Sequence, residues 1–212
     1  FKLSALKFTF LLSIVNLLFS ILFFFFIDYS TINTLNLSIF FGKSIIGVAA
    51  FYCVMISLKN LEISNALPLL ALTPGFVAVF AFIFLGETLK SVEVLGIIFL
   101  ITGTFILESK NLKNIFTSFA DIAKSGYHRF VFLALLLFTA SSILDKLLLI
   151  KLNLSPISLT AFQHIYFAVL FSLIYLFFKH KEEVTPISIK KDNLGWIAVI
   201  SILTIGYRYT QI

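Results

Sequence analysis

Seven stretches of this sequence are long, apolar and nearly free of charge, and no other feature limits its fold so tightly. They are residues 3–27, 37–58, 63–85, 92–107, 130–150, 157–178 and 193–212. Two of them, 63–85 and 157–178, hold no Asp, Glu, Lys or Arg at all. A helix rises 1.5 Å per residue, so about 20 residues cross the roughly 30 Å hydrocarbon core of a bilayer. Only 92–107 is short for this, and it carries Glu93 near its start. Strict apolar–polar alternation is absent, which argues against a transmembrane barrel. Lipid offers backbone amides no hydrogen-bond partners, so the spans are predicted to be helices.

Composition leads the same way. The chain is 60% hydrophobic and 12% charged, whereas a soluble domain has about 25% charged residues. That is too little charge to cover a water-facing surface. A soluble enzyme, a disordered tail and a nucleic-acid-binding arm are thereby excluded. The 16 Lys and Arg residues lie between apolar blocks and form no basic stripe, so no nucleic acid partner is expected. The partner that this composition demands is the lipid bilayer. The first apolar block is too long for a cleaved signal peptide and lacks a small-residue cleavage site. The chain opens with Phe1 and has its single Met at position 55, from which a true N-terminus further upstream is expected.

Short polar joints separate the spans, among them 28–36 and the Gly86-Glu87-Thr88-Leu89-Lys90 turn. Two longer charged connectors, 108–129 and 179–192, stand out, and the first is the natural boundary between two halves. A weak internal repeat supports that division. Ser4-Ala5-Leu6-Lys7-Phe8-Thr9-Phe10 aligns with Thr160-Ala161-Phe162-Gln163-His164-Ile165-Tyr166, and Leu58-Lys59-Asn60-Leu61-Glu62-Ile63 aligns with Tyr207-Arg208-Tyr209-Thr210-Gln211-Ile212. The repeat predicts that 1–107 is a first repeat lacking its first helix and 130–212 a second lacking its last two. The expected fold is an all-α polytopic membrane protein, a helical bundle of two five-helix inverted repeats. Ten helices are expected in the intact protein and about seven here.

The run Asn65-Ala66-Leu67-Pro68, then Thr73-Pro74, then Leu85-Gly86-Glu87-Thr88-Leu89, then Gly96 and Gly103 resembles the EamA domain of the drug/metabolite transporter superfamily. The motif-bearing segment is 52–107; elsewhere the agreement lies in helix order and length. The resemblance implies an internal duplication, a central cavity between the halves, and export or uptake of small metabolites driven by protons or by exchange. Because substrates across the family range from amino acids to nucleotide sugars and drugs, it does not name the cargo. The expected function is secondary transport by alternating access in the plasma or inner membrane. A proton-coupled small-molecule substrate and a homodimer are both compatible with it. The alternative is a non-transporting membrane sensor or assembly protein.

A charge at mid-bilayer costs ~2.5–3.5 kcal/mol on insertion scales, so each polar residue inside a span needs a reason. Thr139, Ser142, Asp145 and Lys146 share one face of 130–150, either as a cavity wall or, for the last two, as a helix end reaching water. Ser201, Thr204, Arg208 and Gln211 recur at helical spacing in 193–212, with Tyr207 beside them. Arg208 there either grips a carboxylate or phosphate, or is the interfacial counterpart of Lys59. Asn65 lies three residues before Pro68, and Pro68 and Pro74 free backbone carbonyls, which suits a hinge, a cavity-lining kink or a static kink. Asn65, Pro68, Ser142, Asp145, Thr204, Tyr207, Arg208 and Gln211 are the candidate substrate-binding residues. Glu87 is expected to cap the following helix, Gly96 and Gly103 to let helices approach, and His164 to be a hydrogen-bonded core residue or a protonation site. Cys53 is alone, and His128, His164 and His180 lack metal-ligand spacing. With no nucleophile elbow, zinc motif or Walker loop, the chain is predicted to be no enzyme and to need no cofactor or metal. Lys and Arg divide eleven to five between alternate faces, with Lys43 among the five, which puts 108–129 and 179–192 in the cytoplasm.

Overall fold

A computed structural model describes residues 5–61, 63–108, 126–178 and 191–211, and every regular element among them is helical. The helices are α1 (Ala5–Ser20), α2 (Thr34–Asn60), α3 (Ile63–Leu70), α4 (Thr73–Leu85), α5 (Ser91–Glu108), α6 (Gly126–Lys146), α7 (Pro156–Phe178) and α8 (Lys191–Gln211). They follow the seven predicted spans in order, with 63–85 divided into α3 and α4. Five stretches among the described residues are long and apolar enough to cross a membrane: Leu6–Phe26, Thr34–Asn60, Ala66–Leu85, Gly126–Lys151 and Pro156–Phe178. Two shorter apolar ones are Ser91–Thr104 and Gly195–Tyr207. The protein is an all-α polytopic membrane protein.

Its surface supports that assignment. Phe25, Phe99 and Phe177 are each more than 70% exposed, while Thr9, Lys43, Ser57, Thr160 and Ser201 are buried. In water each exposed ring would forgo a hydrophobic gain of about 25 cal/mol per Å² of apolar area. Against acyl chains that penalty vanishes, and polar groups instead seek one another inside.

The chain forms two compact units, Phe1–Val48 with Asp145–Ile212, and Ala49–Leu144. Contacts define these units, whereas sequence likeness defines the expected repeats 1–107 and 130–212; the two divisions describe different things. The connector charges Lys110, Lys113, Asp121 and Lys124, and most of 179–192, lie outside the described residues.

In the Ala49–Leu144 unit, Ala66, Leu69 and Val131 form one buried cluster and Cys53, Val54 and Ala134 another. The break between α3 and α4 follows from local chemistry. Pro68 sits inside α3, and Pro74 opens α4, where a missing amide hydrogen costs nothing. At the break Leu72 N–H turns to the Leu69 carbonyl at 3.2 Å, which leaves the Pro68 carbonyl without its helical donor. The Thr104 hydroxyl of α5 donates to that carbonyl at 3.3 Å. At the other end of α4, Gly86 takes a left-handed φ of 70°, a conformation that glycine adopts without a Cβ penalty. At the start of α5 the Glu93 carboxylate accepts from Lys90 N–H at 2.9 Å, one half of a capping box.

In the other unit, α1 packs against α7 and α8. Phe10 stacks on Tyr175 with ring centroids 4.6 Å apart. Phe40, Leu148, Leu154 and Leu159 make the apolar cluster. The helix that begins as α6 does not stop at Lys146. It widens into a π-turn over Leu147–Lys151, and Asn153 beyond its end takes a φ of 50°. Ser155 and Pro156 then start α7, the Ser155 hydroxyl oxygen accepting from Ser158 N–H at 3.1 Å.

Candidate functional site

The interior of the Phe1–Val48 and Asp145–Ile212 unit is polar on several helices at once. On α1, Thr9, Ser13, Asn16 and Ser20 are buried at spacings of four, three and four, which is one helix face. Three of them are satisfied within α1: the hydroxyls of Thr9, Ser13 and Ser20 donate to the carbonyls of Leu6, Phe10 and Leu17. The fourth reaches across, Ser201 of α8 donating to the Asn16 side-chain oxygen. Such hydroxyl–amide contacts fasten helices where lipid removes any hydrophobic drive between them.

The charged centre lies on α2, α6 and α7. Lys43 is fully buried, one-third of the way along α2. Its ammonium lies 2.5 Å from Asp145 Oδ1 and donates to Gln163 Oε1 at 2.5 Å. Asp145 is 6% exposed and Gln163 9%. Asp145 stands on the last turn of α6, directly before the π-turn, and widened turns of that kind mark functional sites more often than ordinary helix does. Gln163 and the buried His164 follow one another on α7. Ser44, beside Lys43, is buried with no hydrogen-bond partner for its hydroxyl. A buried pair is costly to desolvate and weak evidence for stability, so a lysine and an aspartate kept inside lipid-facing helices call for another reason.

The sequence-predicted residues are placed as follows. Asp145 is on the last turn of α6 but is buried, not turned to water, and pairs with Lys43. Lys146 and Ser142 are half-buried, and Thr139 is buried, donating to its own Leu135 carbonyl at 2.8 Å. Thr204 donates to Ile200 O at 2.7 Å, and Tyr207 is 62% exposed. The side chains of Asn65, Arg208 and Gln211 lie outside the described residues, although their backbones belong to α3 and α8. Pro68 is half-buried and contributes its carbonyl as described.

Lys43 and Gln163 are functional candidates that the sequence reading passed over. Lys43 is counted there among loop charges, yet it is the single charge within 37–58. That isolation is the signal for it, and its removal from the loop tally widens the charge bias between faces. Gln163 has a fainter one: in the internal repeat it aligns with Lys7, itself buried on α1.

Two grooves lie in the other unit. One of about 260 Å³ is lined by Gly75, Phe76, Val79, Phe80, Ile97 and Leu100, and another of about 430 Å³ by Phe80, Phe84, Leu136, Thr139, Ala140 and Ile143. Both are walled by hydrocarbon and aromatic rings, with no charged side chain. Neither is suited to orient a polar metabolite. Among the described residues no three His, Cys, Asp or Glu side chains gather in a way that would hold a metal ion.

Apolar outward-facing helices enclosing a buried ion pair define a membrane protein with a polar interior. The sequence profile of the EamA-like transporter family matches residues 2–109, half of the chain, and the protein belongs to that family of membrane transporters of the drug/metabolite type. A search of curated proteins gave no match.

Proposed function

We propose that this protein is a secondary transporter that carries a small metabolite across the plasma or inner membrane by alternating access. In this reading Lys43, Asp145 and Gln163 are the polar centre at which solute binds. Alternating access in this reading is driven by a gradient or by exchange. The observation that carries the proposal is the ion pair between Lys43 and Asp145, buried among helices whose outer faces are apolar. Thr204 and Arg208, on α8 of the same unit, are proposed as further solute contacts, and Pro68 as a hinge point of the other unit.

The test separates a structural pair from a functional one. Removing one partner leaves a buried charge uncompensated, and Lys43→Met or Asp145→Leu alone should cost about 3–5 kcal/mol. The double variant removes both charges and should regain most of that loss. Cells producing the wild type should differ from empty controls in the metabolites they release or accumulate, measured by mass spectrometry. The double variant should reach the membrane in equal amount and abolish that difference. A double variant that keeps the full difference contradicts the proposal.

A further inference from the structure

We propose that the Lys43–Asp145–Gln163 centre binds the carboxylate of a monoanionic substrate together with one proton, Asp145 taking the proton as the substrate replaces it on Lys43. This rests on the transporter reading above and names the substrate class of that same site.

Asp145 itself shows what Lys43 is built to hold. An aliphatic carboxylate oxygen stands 2.5 Å from the ammonium, with a neutral amide oxygen at the same distance on another helix. A carboxylate arriving from outside meets the same donor in the same chemistry, provided that Asp145 leaves. Charge decides how it leaves. The pair is neutral as it stands, and a low-dielectric interior strongly penalises any net charge. A monoanion that displaced an ionised Asp145 would put two negative charges beside one positive. Protonating one Asp145 oxygen from water removes that excess: the aspartic acid no longer competes for Lys43, and the site returns to neutrality with substrate bound. The balance is one proton and one anion in, and the same pair out on the far side. Gln163 serves both states, since its carbonyl accepts from Lys43 while its amide group can donate to the second oxygen of the substrate carboxylate.

The surroundings favour an anion over a cation. The buried ionisable side chains among the described residues of this unit are basic apart from Asp145: Lys7 on α1, Lys43 on α2 and His164 on α7. Among the described residues Asp145 is the only buried carboxylate. The other titratable groups that α1, α2, α6 and α7 bring to this unit are Lys146 and Lys151, on Asp145's own helix and its π-turn, and Tyr166 and Tyr175 on α7, the Tyr166 hydroxyl donating to Leu37 O and the Tyr175 ring stacking on Phe10. None of these supplies a second carboxylate to receive a substrate cation.

Lactate, alanine and lactamide are nearly the same size and differ in charge: a monoanion, a zwitterion and a neutral amide. The full protein in detergent should be screened by thermal shift with these three and with straight-chain monocarboxylates of three to six carbons. At least one monocarboxylate should raise the melting temperature, since a ligand that binds only the folded state stabilises it. Its affinity should fall tenfold per pH unit above the protonation midpoint, and mixing in weakly buffered solution should show close to one proton taken up per molecule bound. Asp145→Asn mimics the protonated state, so it should bind the same monocarboxylate with no proton uptake and no pH dependence. Lys43→Gln should not bind it. Stabilisation by alanine or lactamide alone, by none of the compounds, or by a carboxylate without proton uptake overturns the inference. Where that happens but the metabolite difference between wild type and the Lys43→Met, Asp145→Leu variant persists, the transporter reading stands; where that difference is also absent, both fall.

Discussion

At the scale of single residues, environment decides what each polar group does. Asp28 lies between two apolar spans, fully exposed. Hydrogen bonds from the Ser30 hydroxyl and then from the Ser30 amide hold its carboxyl below the usual carboxylate value. The depressed value means that this turn is favoured at neutral pH and loses that contribution as the pH falls through Asp28's folded value. In a carboxyl-selective NMR titration the Asp28 midpoint should lie below the ~3.9 of a free aspartate, and Ser30→Ala should move it up. An unchanged midpoint in Ser30→Ala would contradict this assignment. Asp28 and Asp145 share a side chain type and nothing else: the first holds an exposed turn, the second a lysine buried inside the protein. Sequence reading singled out Asp145 because a carboxylate in an apolar run needs a reason. It passed over Lys43, the single charge within 37–58, because a flexible cation can reach water and so looks unremarkable near a span's beginning. The partner 102 residues away is invisible to periodicity, and only the packing of α2 against the end of α6 reveals it.

At the scale of elements, all seven apolar spans were legible, because about 20 charge-poor residues have few other fates than a bilayer-crossing helix. Their interruptions were legible only in part. Pro68 and Pro74 announced a distortion in 63–85, and the chain breaks between them into α3 and α4. What relieves the break could not be read, since Thr104 lies 36 residues on and its hydroxyl has no sequence signature for a carbonyl on another helix. Thr104→Val keeps the shape and removes the donor. It should destabilise the protein by about 1 kcal/mol in denaturant unfolding in micelles, the cost of leaving one partly buried carbonyl unmet. A loss below the error of that measurement would mean that the carbonyl finds another partner. The π-turn after Asp145 was equally hidden, because Leu147-Leu148-Leu149-Ile150 favours ordinary helix. It carries the helix on to Lys151, so that the buried Asp145 has a further helical turn after it.

At the scale of the molecule, the exchange of places between aromatic and polar side chains ties fold to function. Rings such as Phe25, Phe99 and Phe177 face outward, and the inside of one unit collects hydroxyls, amides and an ion pair. Average composition told which solvent surrounds the chain, and motif spacing told the family, but neither told which helices would gather the polar groups. The central claim is that this polar interior opens in turn to the two sides of the membrane. Ser44 is the reporter: it adjoins Lys43, is fully buried, and exchanges only its hydroxyl oxygen for sulfur when changed to cysteine. With Cys53 first replaced by serine, Ser44→Cys in sealed vesicles should react with a membrane-impermeant maleimide added from outside and, in a separate sample, from inside. Reaction from both sides is the result that alternating access predicts; reaction from one side only, or from neither, would contradict it.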